Sequence, residues 1–141
     1  MKTKRRPRVA FVCLGNSCRS QMAEAWARHL GTGKVEALSA GLRPLGFIAQ
    51  ETKAVMAEKE VSLDGQHSKG LEAIDWDGVD LLVDMSGARV HRMLEDCGGR
   101  FTEWKVEDPF GESLESYRAV RDLLERKVRR LLADLAPAPQ T

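Results

Sequence analysis

No run of about 18 apolar residues occurs in the chain, which excludes a membrane-spanning helix. No apolar segment follows the basic N terminus, so a secretory leader is not expected. Cysteine is scarce: Cys13, Cys18 and Cys97 form an odd set spread through 141 residues. A disulfide-stapled secreted domain is denser and even in number, so reduced thiols and a cytoplasmic location are the expectation. Net charge is nearly absent at +1, and charge balance names no partner. Lys2, Lys4, Arg5, Arg6 and Arg8 crowd the start of the chain, where a solvated terminus is the plain reading. Residues 1–8 are therefore expected to be a flexible basic arm, with no nucleic-acid or membrane partner. The stretch from Gly41 to Gly46 is not followed by Lys and Ser or Thr, which disfavours a Walker-type nucleotide loop.

What is present fits one domain, because two cores in this length would each be too small. Val9-Ala10-Phe11-Val12 is a continuous apolar run of the kind a buried parallel strand shows. Met22, Ala25, Trp26, His29 and Leu30 then recur at helical spacing until Gly31. A second strand is predicted over 35–40, a helix over 48–59, a third strand over 80–85, a short helix over 90–95, a fourth strand over 102–106 and a long amphipathic helix to about Leu135. This alternation predicts an α/β fold: a single domain over 9–135, with a four-stranded parallel sheet flanked by helices on both faces, and a flexible tail over 136–141. The chain is expected to act as a monomer.

The stretch FVCLGNSCRSQMAEAW, residues 11–26, leaves the first strand and enters the first helix. Backbone N–H groups of such a loop converge with the positive end of the helix dipole, which makes an anion cradle. Gly15 permits close approach, Asn16 tolerates the left-handed region, and Arg19 offers a planar fork to two oxygens of a tetrahedral anion. A thiol beneath that field is favoured as thiolate, and Cys13 alone has an arginine six positions on, since Glu24 stands six after Cys18. Ser20 is read as a hydrogen-bond donor to that thiolate or as a helix N-cap. Asp108-Pro109 is read as a general acid at the same sheet edge or as a plain turn opener, with Asp84, Asp80 and Glu107 as fallback carboxylates. Cys18 either pairs reversibly with Cys13 or fills the loop. Phe47 and Phe110 are candidate walls for an aryl group.

Cys13-Leu14-Gly15-Asn16-Ser17-Cys18-Arg19-Ser20 resembles the phosphate-binding loop of low-molecular-weight protein tyrosine phosphatases. Ser39-Ala40-Gly41, Gly65-Gln66-His67-Ser68, Asp84-Met85 and Asp108-Pro109 follow in that family's order. The resemblance implies a flavodoxin-like topology and hydrolysis of aryl phosphate, of phosphotyrosine proteins or small esters, in two steps. Cys13 would form a phosphocysteine, Arg19 and the loop amides would hold the oxygens, and Asp108 would protonate the leaving group. It also implies that Asn16 shapes the loop, Ser20 supports the thiolate, His67 is a packed structural histidine, and no metal or other cofactor is needed.

Ser20-Gln21-Met22-Ala23-Glu24 instead resembles the arsenate reductases built on this fold, since the commonest phosphatase pattern has proline at position 21. Those enzymes generally carry further cysteines near the end of the third strand, where this chain reads Asp84-Met85-Ser86-Gly87-Ala88. The alternative is thus an arsenate reductase drawing on an external thiol partner of thioredoxin or glutaredoxin type, with Cys97 or Cys18 as redox contributors. A zinc module from Cys13, Cys18, Cys97 and His67 is disfavoured, because it lacks a second close pair of ligands.

Overall fold

The computed structural model describes residues 5–94 and 99–135. Four parallel strands, β1 (Arg8–Cys13), β2 (Glu36–Gly41), β3 (Leu81–Asp84) and β4 (Arg100–Glu103), lie in the order β2-β1-β3-β4. This is a flavodoxin-like order, in which the chain reverses direction across the sheet beside β1. Three α-helices, α1 (Arg19–Leu30), α2 (Gln50–Glu58) and α3 (Leu114–Asp134), complete the frame.

Side-chain alternation along β1 divides the core. Val9, Phe11 and Cys13 face a cluster shared with α1, α2 and α3, including Met22, Trp26, Met56, Tyr117 and Leu124. Ala10 and Val12 face the opposite side, where short 3₁₀ turns at Leu71–Ala73, Trp76–Gly78 and Val90–Arg92 supply the cover. Among the described residues, one face therefore carries the three α-helices and the other carries 3₁₀ turns. Because β1 is buried on both faces, its run is apolar at every position.

Helix α1 is buried from Arg19 through Ala27, polar residues included, while His29 of the predicted stripe is exposed. Gly31 stops it, and a Cβ there would sit 2.6 Å from Val35 Cγ1. Helix α3 starts at Ser113, whose side chain accepts from the Ser116 amide, and it buries Tyr117, Val120, Leu124 and Val128.

Three expectations need correction. The fourth strand ends at Glu103, not Val106: its residues are exposed except the half-buried Thr102, so alternation is a weak guide, and the Val106 carbonyl is taken by Arg19 instead. The helix expected over 90–95 is a 3₁₀ turn ending at Arg92 within the described residues. Arg5 and Arg8 of the expected arm are tied down: Arg5 pairs twice with Asp80 at 2.8 and 2.9 Å, and Arg8 opens β1. Burial pushes the Asp80 carboxyl up, but the Arg5 hydrogen bonds and the Arg8 amide outweigh it and hold the group below its ordinary value. Residues 1–4, the tail over 136–141 and Cys97 lie outside the described residues. No described helix is long and apolar enough to cross a membrane.

Candidate active site

Strand β1 ends on Cys13 and α1 begins at Arg19, so residues 14–18 must turn the chain within one loop. Asn16 takes the left-handed conformation at φ 48°. The loop's carbonyls are all drawn outward. Those of Cys13, Leu14, Gly15 and Ser17 accept from the amides of Leu42, Arg43, Leu45 and Ala49, and that of Asn16 from Gln21 Nε2. Among the described residues no backbone N–H of Leu14 through Arg19 donates to a protein acceptor. The amide edge is thus left for a ligand, and α1 starts on Cys18 with no side-chain cap and no acidic residue in its first turn. Such a helix end attracts an anion.

Arg19 is buried and braced. Its Nη1 donates to the Met85 carbonyl at 2.7 Å and the Val106 carbonyl at 3.0 Å, where the chain leaves β3 and β4. Its Nη2 lies 3.7 Å from Asp108 Oδ2, and its buried Nε has no partner among the described residues. A buried guanidinium N–H without an acceptor is costly unless a ligand supplies one.

Cys13, Gly15, Ser17, Cys18, Arg19, Leu45, Asp108 and Phe110 line a cup of about 20 Å³. Asp108 is 44% exposed at its mouth, and its Oδ1 also accepts from the Phe110 amide at 3.0 Å. It is therefore both turn opener and cup carboxylate. The fallback carboxylates are engaged or displaced: Asp84 accepts from Ser86 and the Val90 amide, Asp80 lies at the far end of the sheet, and Glu107 lines a separate groove beyond Arg19.

Cys13 Sγ lies 2.8 Å from Ser20 Oγ. Asn16 Nδ2 donates to Ser20 Oγ at 2.7 Å and to Ser39 Oγ at 3.0 Å, while Asn16 Oδ1 accepts from the Lys69 amide at 2.9 Å. Ser20 lies inside α1, whose N-cap position is Cys18, so the N-cap reading of Ser20 is corrected. Gln21, fully buried, explains its own presence. Its Nε2 reaches Asn16 Oδ1 and the His67 carbonyl, and its Oε1 accepts from Gln66, stitching the loop to residues 66–67. A proline there would have none of these bonds. His67 itself is exposed and contributes its carbonyl, so the expectation of a packed imidazole is corrected.

Cys18 is buried, and its thiol donates to Tyr117 Oη at 3.6 Å. Burial pushes it above the ordinary thiol value despite that bond. Cys13 and Cys18 are both free thiols. Phe110 is among the residues lining the cup, and Phe47 is not. Leu45 takes the inner place, and Phe47 joins Phe110 on an adjoining groove of about 430 Å³. Sequence reasoning missed Leu45, Tyr117 and Glu24; a glutamate on the helix face that also carries Ser20, one turn on, was the available signal for the last.

Among the described residues no group of three or more His, Cys, Asp or Glu side chains is placed to hold a metal ion. The arrangement instead provides what a tetrahedral oxyanion needs: amides, a fork, a thiol beneath and a carboxyl above. The family model for low-molecular-weight phosphotyrosine protein phosphatases matches residues 8–140. The chain belongs to that family. A glutaredoxin arsenate reductase of Synechocystis sp. is 37% identical over 130 residues, covering 92% of this chain and 98% of its own. A protein-arginine-phosphatase of Geobacillus stearothermophilus is 34% identical, covering 91% and 95%. A solved arsenate reductase in a phosphate-binding state superimposes with a TM-score of 0.79 at 34% identity, covering 92% of this chain and 99% of that one. Family and relatives together support a cysteine-dependent phosphatase or arsenate reductase.

Proposed function

We propose that this family member reduces arsenate with an external thiol partner of the glutaredoxin class. The lining of the cup, an arginine and loop amides around a thiol, suits a tetrahedral oxyanion and does not by itself choose between arsenate and phosphate. What carries the choice is the similarity to the Synechocystis enzyme along nearly its whole length, with a glutaredoxin arsenate reductase being what that protein is.

The residues serve this reaction as follows. The Cys13 thiolate attacks As(V) while Arg19 and the loop amides hold the remaining oxygens. The S–As bond forms, one As–O bond breaks, and Asp108 protonates the departing oxygen, which leaves as water. A thiolate of the partner then attacks Cys13 Sγ. The S–S bond forms, the S–As bond breaks, and its electron pair stays on arsenic, which leaves as As(III) arsenite. A second partner thiol attacks the mixed disulfide, takes the partner away as its own disulfide and restores Cys13. Two thiols are oxidised for each arsenate reduced.

A second reading, phosphate-monoester hydrolysis, is favoured by the placement of Asp108 over the cup and by the groove under Phe47 and Phe110, which has room for a leaving group. Aryl phosphates and phosphotyrosine belong to this reading. Parallel assays separate the two: arsenate-dependent NADPH oxidation coupled through glutathione, glutaredoxin and glutathione reductase, against p-nitrophenyl phosphate hydrolysis near pH 6. Arsenate turnover that needs glutaredoxin and fails in Cys13→Ser supports reductase function. Efficient hydrolysis with no arsenate turnover, from glutaredoxin or thioredoxin, overturns it in favour of the phosphatase.

A further inference from the structure

Strand β4 ends the sheet, with β3 on one side of it and no strand on the other. The amides of Arg100 and Trp104 donate to the Asp80 and Asp84 carbonyls at 3.1 and 3.0 Å. Backbone groups alternate in direction along a strand. Thr102 therefore faces β3 as those two residues do, and the N–H and C=O groups of Phe101 and Glu103 point out of the sheet. Among the described residues no protein acceptor takes either of these N–H groups. Such a row is a template for a further strand.

The two faces beside that row differ in chemistry. On one, Phe101 is 46% exposed and stacks on His91 with ring centroids 3.7 Å apart. On the other, a groove of about 390 Å³ opens between β4 and the C-terminal half of α3. Leu81, Trp104, Leu131 and Leu135 supply its apolar lining, while Arg100, Lys127 and Arg130 set three cations against the one carboxylate of Asp134. Lys127 Nζ lies 5.5 Å from the centre of the Trp104 ring. Among the described residues none of the three cations has an ion-pair partner.

We propose that this edge takes up an extended segment of a partner protein in which acidic side chains alternate with apolar ones. Main-chain bonds to Phe101 and Glu103 hold the segment as a fifth strand. Its side chains then fall alternately on the two faces. The acidic ones meet Arg100, Lys127 and Arg130, and the apolar ones lie along Phe101. A second copy of this chain is the wrong occupant, because two β4 strands paired about a twofold axis bring both sets of three cations together on one face, and like charges there repel. No residue of the groove lines the cup, so docking leaves the anion site open whichever oxyanion it takes.

The probe is a peptide of about ten residues alternating glutamate and valine, long enough to cover one strand, with a lysine-valine peptide as control. Each is added to the full chain at low salt, and amide hydrogen exchange is followed residue by residue by NMR. In the free protein the Phe101 and Glu103 amides should exchange fast at every protein concentration. Saturating glutamate-valine peptide should slow both by about tenfold or more, and the lysine-valine peptide should leave them unchanged. Lys127→Gln and Arg130→Ser, at a half-buried and an exposed position, should each weaken the peptide's Kd by about threefold, and added salt should weaken it further. Glu103→Pro removes one outward N–H and no bond to β3, so it should abolish binding with little change in the unfolding midpoint. Amides already slow in the dilute free protein show the edge covered by the chain itself, and slowing that grows with protein concentration shows a second copy on it. Either result overturns the proposal. So does a glutamate-valine peptide that fails to slow the two amides at about 1 mM, or that does so no better than its lysine counterpart. Binding that Lys127→Gln and Arg130→Ser leave untouched overturns it as well.

Discussion

Replacing Gly41 by alanine tests whether the anion loop is held in shape by the strand beside it. Gly41 ends β2 opposite Cys13, and a Cβ built on it would meet Leu14 O at 2.7 Å, Asn16 N at 2.8 Å and Asn16 Cβ at 3.0 Å. Nonbonded carbon contacts settle at about 3.5–4.0 Å, so strand and loop must part by roughly 0.7–1 Å. The strand is not free to yield, because its Cys13–Gly41 register and the bond from the Gly41 amide to Lys69 O at 2.9 Å hold it. The expected overpacking cost is about 1–3 kcal/mol. The displaced atoms belong to the cradle itself, and a misplacement of about 1 Å at a reacting centre costs on the order of a hundredfold in rate. Urea unfolding followed by tryptophan fluorescence gives the first quantity, and kcat/KM with arsenate gives the second. A Gly41→Ala protein with wild-type stability and activity within about twofold would refute the reasoning, since the two changes should appear together.

Further outcomes follow from single contacts. Arg19→Lys loses the fork and the brace on the Met85 and Val106 carbonyls, and kcat should fall by about 10²–10³ in steady-state assays. Tyr117→Phe removes the partner of the buried Cys18 thiol and should lower unfolding free energy by about 0.5–1.5 kcal/mol in denaturant titrations. Because burial holds the Cys18 thiol up, thiol mapping of the native wild type at neutral pH should find Cys18 unlabelled while Cys13 reacts. Glu58 bonds Arg118 and Arg121, which hold its carboxyl down at about 2. A depressed folded value stabilises above the ordinary carboxylate range, and the stabilisation is lost as pH falls toward 2. Acid titration of unfolding should show a smaller slope over that window in Glu58→Gln than in the wild type.

Much of this was legible in the sequence because strong local signals agreed. The apolar run of β1, the cysteine-to-arginine loop and the stripe of α3 each demand one kind of element, and the structure places Cys13, Arg19 and Asp108 on one cup. What failed was what local pattern does not encode. β4 is an edge strand whose Phe101 stacks on His91 at 3.7 Å rather than in the core, so burial alternation did not mark its ends. Leu45, not Phe47, closes the cup because the Leu45 amide is tied to Gly15 O at 3.0 Å, a contact set by the tertiary fold. Glu24 reads as a surface charge until Arg28 and Ser39 are seen around it.

The central claim, that this site reduces arsenate through Cys13, is tested most directly by quantifying the product. Arsenite should accumulate with one partner disulfide formed per arsenic, and Cys13→Ser should make none. Intact arsenate and unchanged thiols, in folded protein that still hydrolyses p-nitrophenyl phosphate, would contradict it.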